Sequence, residues 1–98
     1  MKEYSRVISD INRALKKGSD PKCYSIRGAA FAAIKKNLEA IQDYNKAIEG
    51  LPNAKDLHYY RGLSFKALGK RKEDCADFSK SAHLNYQPAV LEEKEFCK

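Results

Sequence analysis

The side chains best suited to catalysis or metal binding are few and scattered in this 98-residue chain. His58 and His83 stand far apart, and neither has a nucleophile or an orienting group at a recognisable spacing. Cys23, Cys75 and Cys97 lack the C-x-x-C spacing of common zinc sites, and an odd number without paired spacing argues against a disulfide framework. We therefore predict a non-enzymatic protein with no catalytic residues, no metal ligands and no cofactor.

Charged residues of both signs recur at regular distances. Arg27 and Arg61 are 34 positions apart, as are Asp43 and Asp77, and Asp10 falls at the matching place near the start of the chain. Because partly buried charges need partners, the recurrence predicts ion pairs between adjacent helices, with Arg27 reaching Asp10 or Asp43. Capture of an anion by the arginines is the alternative.

The elements that position these residues repeat. Residues 27–47 and 61–81 align without a gap at an offset of 34, with eight of 21 positions identical. Each unit contains two segments whose apolar residues follow helical spacing. Residues 1–19 match only the second helix of a unit, at an offset of 33. We predict about six helices in one domain: a half unit over 1–19, units over 21–52 and 55–88, and a partial capping helix over 89–98.

The repeat resembles the tetratricopeptide repeat, a helix–turn–helix unit of 34 residues. The positions that carry the resemblance in the first unit are Tyr24, Arg27, Gly28, Phe31, Ala40, Tyr44, Ala47 and Pro52. The second unit departs from the pattern at Asp74, Ser81 and Tyr86. The resemblance implies an all-α solenoid of antiparallel helix pairs that form a right-handed superhelix. It also implies that the mid-helix glycines, Gly28 and Gly62, let the paired helix approach closely, and that His58 has a packing role.

In that family the first helices line a concave groove, which implies a binding surface here. Its residues are Lys22, Ser25, Ala29, Ala33, Tyr59, Leu63 and Lys66. A surface of this composition favours an apolar or amphipathic peptide, or a helix of a partner protein. The alternative is that these residues are merely exposed or contact a neighbouring repeat. The clamp that holds chaperone C-terminal carboxylates is matched only at Lys94, which argues against a chaperone tail as ligand.

The composition, 43% hydrophobic and 33% charged, excludes a disordered chain, and the net charge of +6 favours acidic partners in a general way. Basic residues near the turns between paired helices could form one edge that meets phosphate or an acidic protein. They are Lys2, Lys35, Lys36, Lys70, Arg71 and Lys72. No nucleic-acid motif or interleaved aromatic residue accompanies them, so solvated turns are favoured over RNA binding.

The sequence has neither the apolar stretch of a signal peptide nor a run of about 20 apolar residues, which predicts a cytoplasmic protein with no membrane span. A chain that begins on the second helix of a unit leaves an apolar flank without its partner. Stacking on another copy, or on further repeats of a longer protein, would cover such ends. Self-association is therefore the alternative to partner binding.

Overall fold

The computed structural model describes residues 2–97, and for Lys2 only the backbone. This part of the chain folds into six α-helices and contains no strand. The helices are α1 (Lys2–Leu15), α2 (Pro21–Ala33), α3 (Asn37–Gly50), α4 (Lys55–Ala67), α5 (Arg71–His83) and α6 (Gln87–Phe96). Each helix packs against the next one along the chain. The all-α array of helix pairs is confirmed, with α6 beginning two residues before the predicted boundary at 89.

The two central pairs, α2–α3 and α4–α5, are closed by the same turn. Lys35 and Gly69 occupy equivalent positions and both have left-handed backbones, with φ of 64° and 74°. This conformation lets the amide of the next residue donate back into the helix, from Lys36 to the Phe31 carbonyl at 2.8 Å. The equivalent bond in the second pair is 2.9 Å long. The sequence repeat is thus a repeat of backbone geometry.

The helices within each pair are in contact at the recurring glycine. A Cβ atom on Gly28 would lie 3.0 Å from the ring of Tyr44, and one on Gly62 would lie 2.8 Å from the ring of Phe78. Neither ring can move away freely, because Tyr44 and Phe78 are buried. The prediction that a missing side chain allows close helix approach is therefore confirmed, and this packing offsets the helix penalty of glycine.

A hydrophobic core connects the pairs. Ala40, Tyr44 and Ala47 of α3 contact Leu57 of α4, and partly buried side chains such as Phe31 pack around them. The small residues of α3 bring α4 close, so the aromatic side chains at the start of α4 are held against the first pair. This contact fixes where the exposed faces of α2 and α4 lie relative to each other.

Cys75 of α5 and Cys97, just beyond α6, form a disulfide bond. The expectation that the cysteines are unlinked is therefore wrong for this pair. The two residues are 22 positions apart in sequence, and only the packing of α6 against α5 brings them together. Cys23 is partly buried and unpaired. Among the described helices, none is both long and apolar enough to cross a membrane.

Candidate interaction groove

An apolar cleft of about 390 Å³ lies between the α2 and α4 faces. Its α2 wall is made of alanines, of which Ala29 and Ala33 are exposed. Leu63 and Tyr60 of α4 form the opposite wall. The complete lining is Ala29, Ala32, Ala33, Asn37, Tyr44, Tyr60, Leu63 and Ser64. The lining includes no lysine or arginine, so the cleft suits an uncharged, mainly apolar group.

The aromatic wall is supported by a layer of packed rings behind it. Tyr60, 39% exposed, stacks on Tyr44 with centroids 6.4 Å apart and contacts Tyr59 at 5.8 Å. Tyr59 in turn packs against Phe78 at 5.8 Å and Tyr86 at 5.3 Å. Burial raises the pKa of Tyr44 to about 12 and raises that of Tyr59. Tyr60 therefore faces the cleft, while Tyr59 belongs to the support.

Three of the seven predicted groove residues line this cleft: Ala29, Ala33 and Leu63. The other predicted residues are Lys22, Ser25, Tyr59 and Lys66. Lys22 is exposed at the start of α2, where its carbonyl accepts a hydrogen bond from the Ser25 hydroxyl at 2.8 Å. Tyr60 lines the cleft and its neighbour Tyr59 does not, because adjacent residues of a helix point in different directions. No sequence signal indicates which of the two tyrosines lines the cleft.

Lys66 of α4 does not line the cleft and contacts α6 instead. Its Nζ atom is 3.0 Å from the Glu92 carboxylate and 3.8 Å from the centre of the Phe96 ring. An ammonium group held between a carboxylate and an aromatic face is already well satisfied. Lys66 therefore anchors α6, and the open part of the groove is the cleft between α2 and α4.

The recurring charges form the predicted ion pairs. The Arg27 guanidinium donates to both Asp43 oxygens at 2.8 and 2.7 Å, and a third bond of 2.8 Å reaches Asn12 of α1. This pairing with Asp43 raises the pKa of Arg27. Of the two expected partners Asp43 is the one bonded, while Asp10 is exposed on α1 and the contact with α1 is made by Asn12.

The second pair repeats this network. Arg61 donates to both Asp77 oxygens at 2.8 and 2.6 Å and to Asn45 of α3 at 2.8 Å. Each arginine thus joins its own helix pair to the preceding helix. Three N–H donors of each arginine are engaged within the stack, which favours a structural role over capture of an anion.

His58 is buried in the packing, as expected. Its Nε2 atom donates a hydrogen bond to the Pro52 carbonyl at 2.8 Å, and its Nδ1 atom lies 3.9 Å from the Asp77 carboxylate. No nucleophile is placed at the ring among these contacts. The imidazole therefore ties α4 to the α3–α4 connection.

The predicted basic edge lies at the two turns that close the pairs. Lys35, Lys36, Lys70 and Lys72 are exposed there, and the side chain of Lys2 lies outside the described residues. Arg71 is exposed too, but its guanidinium donates to the Phe96 carbonyl at 2.9 Å and lies over the Phe96 ring. One of the predicted cations is therefore engaged with the end of α6.

Comparison with known proteins gives no match, either to a protein-family model or to a curated protein.

Proposed function

We propose that this chain is a non-catalytic scaffold of the tetratricopeptide type that binds an apolar segment of a partner protein in the α2–α4 cleft. The observation that carries the proposal is the pairing of an exposed alanine wall with a supported aromatic wall. Small residues let a partner backbone approach closely, and a ring held by its neighbours costs little entropy on binding. Helix pairs stacked in order are the architecture that presents such a surface.

The chemistry of the cleft defines the partner. Its volume is at the lower end of ligand sites, enough for one or two apolar side chains. Asn37 and the Tyr60 hydroxyl supply polar groups beside the apolar surface and would orient the partner's backbone. With no cation in the lining, a free carboxylate gains nothing there. The ligand is therefore an internal, apolar stretch of a helix or extended segment.

A charge placed in the alanine wall tests this proposal. Peptides selected on the intact chain from a displayed library should bind the Ala33→Glu variant at least about tenfold more weakly, since the carboxylate would be buried without a partner. Ala67→Glu is the matched control, because Ala67 ends α4 as Ala33 ends α2 but does not line the cleft. Amide NMR shifts on peptide addition should cluster on α2 and α4. Equal binding by both variants, or shifts centred elsewhere, contradicts the proposal.

The aromatic wall gives an independent variant. Tyr60→Ala removes the exposed ring and should weaken the same peptides by about tenfold with little change in melting temperature. Tyr59→Ala is unsuitable for this purpose, because Tyr59 packs on three other rings and its loss would disturb the fold.

A second candidate function is self-association through the ends of the array. Large apolar side chains are exposed on the terminal helices: Tyr4 on α1, and Leu91 and Phe96 on α6. If copies stack end to end, light scattering should show a mass that rises with concentration, and Leu91→Glu should abolish the rise. A constant monomer mass for the unmodified chain at high concentration eliminates this candidate.

The cytoplasmic location stays a prediction. The Cys75–Cys97 bond is the state expected in an oxidising compartment, whereas a reducing one would hold the same residues as two thiols.

A further inference from the structure

Three potential metal ligands meet where α5 begins and α6 ends. A carboxylate oxygen of Asp74 and the sulfur atoms of Cys75 and Cys97 all lie within 4.8 Å of one another. Asp74 is 1% exposed, and its Oδ1 atom is buried without a hydrogen-bond partner. A buried carboxylate oxygen with no donor is costly, so it requires an explanation.

The fold itself does not require these residue types. In the first helix pair the positions equivalent to Asp74 and Cys75 hold Ala40 and Ile41, both buried apolar residues. The second pair has exchanged two adjacent core residues for a carboxylate and a thiol. Cys97 then arrives from α6, so the third ligand comes from a different helix. The disulfide accounts for the two cysteines, but packing does not explain the carboxylate at Asp74.

We propose that, when the Cys75–Cys97 bond is reduced, Asp74, Cys75 and Cys97 form a zinc site. A dithiol reductant supplies two electrons and two protons, breaks the sulfur–sulfur bond and leaves two thiols while itself becoming a disulfide. Zn²⁺ then binds both sulfurs as thiolates with release of the two protons, and the Asp74 carboxylate is the third ligand. Two thiolates select zinc over magnesium or calcium, which prefer oxygen ligands. Three protein ligands leave one position for water.

The surroundings suit the charge of this site. Two thiolates and a carboxylate around Zn²⁺ carry a net charge of −1. Lys66 and Arg71 are close enough for their positive charges to act on Asp74. Both cations also contact α6 at Phe96. In this arrangement α6 is fastened to α5 by the disulfide in oxidising conditions and by zinc in reducing ones. The proposed zinc site shares no residue with the lining of the α2–α4 cleft.

Metal titration of the full chain tests the site. With the protein reduced by a phosphine, added Co²⁺ should give thiolate-to-metal charge-transfer absorption that saturates at about one ion per chain. Zn²⁺ should then displace it, and competition with a chromophoric chelator gives the zinc affinity. The oxidised protein should show no such absorption. Absence of stoichiometric uptake by the reduced protein overturns the proposal.

Variants identify the ligands. Cys97→Ser should lose the charge-transfer band of the two-thiolate site, and Asp74→Ala should bind Zn²⁺ at least about tenfold more weakly. Asp74→Ala restores the residue type of the first pair, so its fold is retained, and circular dichroism checks this for both variants. Cys23→Ser is the matched control and should bind as the unmodified chain does. Unchanged zinc affinity in Asp74→Ala, or loss of binding in Cys23→Ser, contradicts the assignment.

Discussion

The two central helix pairs have the same backbone design but differently composed interiors. In the first pair Ala40, Tyr44 and Ala47 make an almost wholly apolar packing face on α3. In the second pair the equivalent positions hold Asp74, Phe78 and Ser81, all of which are buried. The same glycine contact and the same arginine–aspartate pair occur in both. The helix pair therefore tolerates polar residues in its interior.

Some buried polar side chains of the second pair have hydrogen-bond partners, and others have polar atoms without one. The Ser81 hydroxyl donates to the Lys55 carbonyl at 2.6 Å, and His58 donates to the Pro52 carbonyl. The first bond joins α5 to the beginning of α4, and the second joins α4 to the connection that precedes it. The Asp74 Oδ1 atom has no donor, and the His58 Nδ1 atom also has no hydrogen-bond partner. The difference between the pairs is thus structural at Ser81 and His58, but at Asp74 it has another cause, for which we propose metal binding.

The largest loss of stability is expected at the recurring glycines, where the two helix pairs are most alike. Gly28→Leu should destabilise the fold by about 3 kcal/mol or more, because even a Cβ atom would press on the Tyr44 ring. Gly62→Leu should cost at least as much, since the Phe78 ring is closer. Urea unfolding measures both, with Gly18→Leu as the control at an exposed site with nothing within 4 Å. Unchanged stability in either variant would mean that the glycines are not packing positions.

Removing either arginine should destabilise the fold by a smaller amount. Arg27→Met leaves the buried Asp43 carboxylate without its cation and should cost about 3 kcal/mol. Arg61→Met should cost about as much, because the Asp77 carboxylate is buried to a similar degree and loses its cation in the same way. Chemical denaturation at neutral pH gives both values, with the exposed Arg13→Met as control. Unequal losses would show that the two arginine–aspartate pairs are not equivalent.

Alkaline pH should distinguish Tyr44 from its equivalent, Phe78. The folded state holds the pKa of Tyr44 at about 12, against about 10 in the unfolded chain. The folded state therefore binds more protons between these values, so the contribution is complete below pH 10 and is lost as the pH rises towards 12. The loss should be about 2 kcal/mol.

Unfolding measured between pH 9 and 12 checks this, with Tyr44→Phe as the comparison. That variant places in the first pair the residue type of the second. Its stability should fall less steeply over the same range, and an identical slope would assign the alkaline loss to other groups.

The smallest expected changes in stability have opposite signs at two positions of the second pair whose residue types differ from those of the first pair. In the oxidised protein, Asp74→Ala should stabilise the fold by about 1 kcal/mol, because it removes a buried oxygen without a partner. Ser81→Ala should destabilise it by about 1 kcal/mol, because the hydroxyl bond to Lys55 is lost. Each change installs the alanine found in the first pair. Thermal unfolding of the two variants would refute this reading if both shifted in the same direction.

Most of the fold could be predicted from the sequence, but less of the cleft. The 34-residue offset identified the helix pairs, and the recurring glycines marked the contact between helices. Of the cleft, Ala29, Ala33 and Leu63 were predicted, whereas Tyr60 was not. Helical spacing indicates which residues share a face, but it does not say how far along that face a neighbouring helix covers them.

The sequence by itself determined what depends on local periodicity: the helices, their approximate ends, the paired glycines and the recurrence of arginine and aspartate at equivalent positions. Only the tertiary structure decided what depends on the approach of separate helices. In the folded chain Arg27 bonds Asn12 of α1 and not Asp10, and Cys97 lies beside Cys75. The physical reason is that side-chain order along one helix follows from its period, whereas contacts between helices depend on their spacing and crossing, which the packing of the whole array sets.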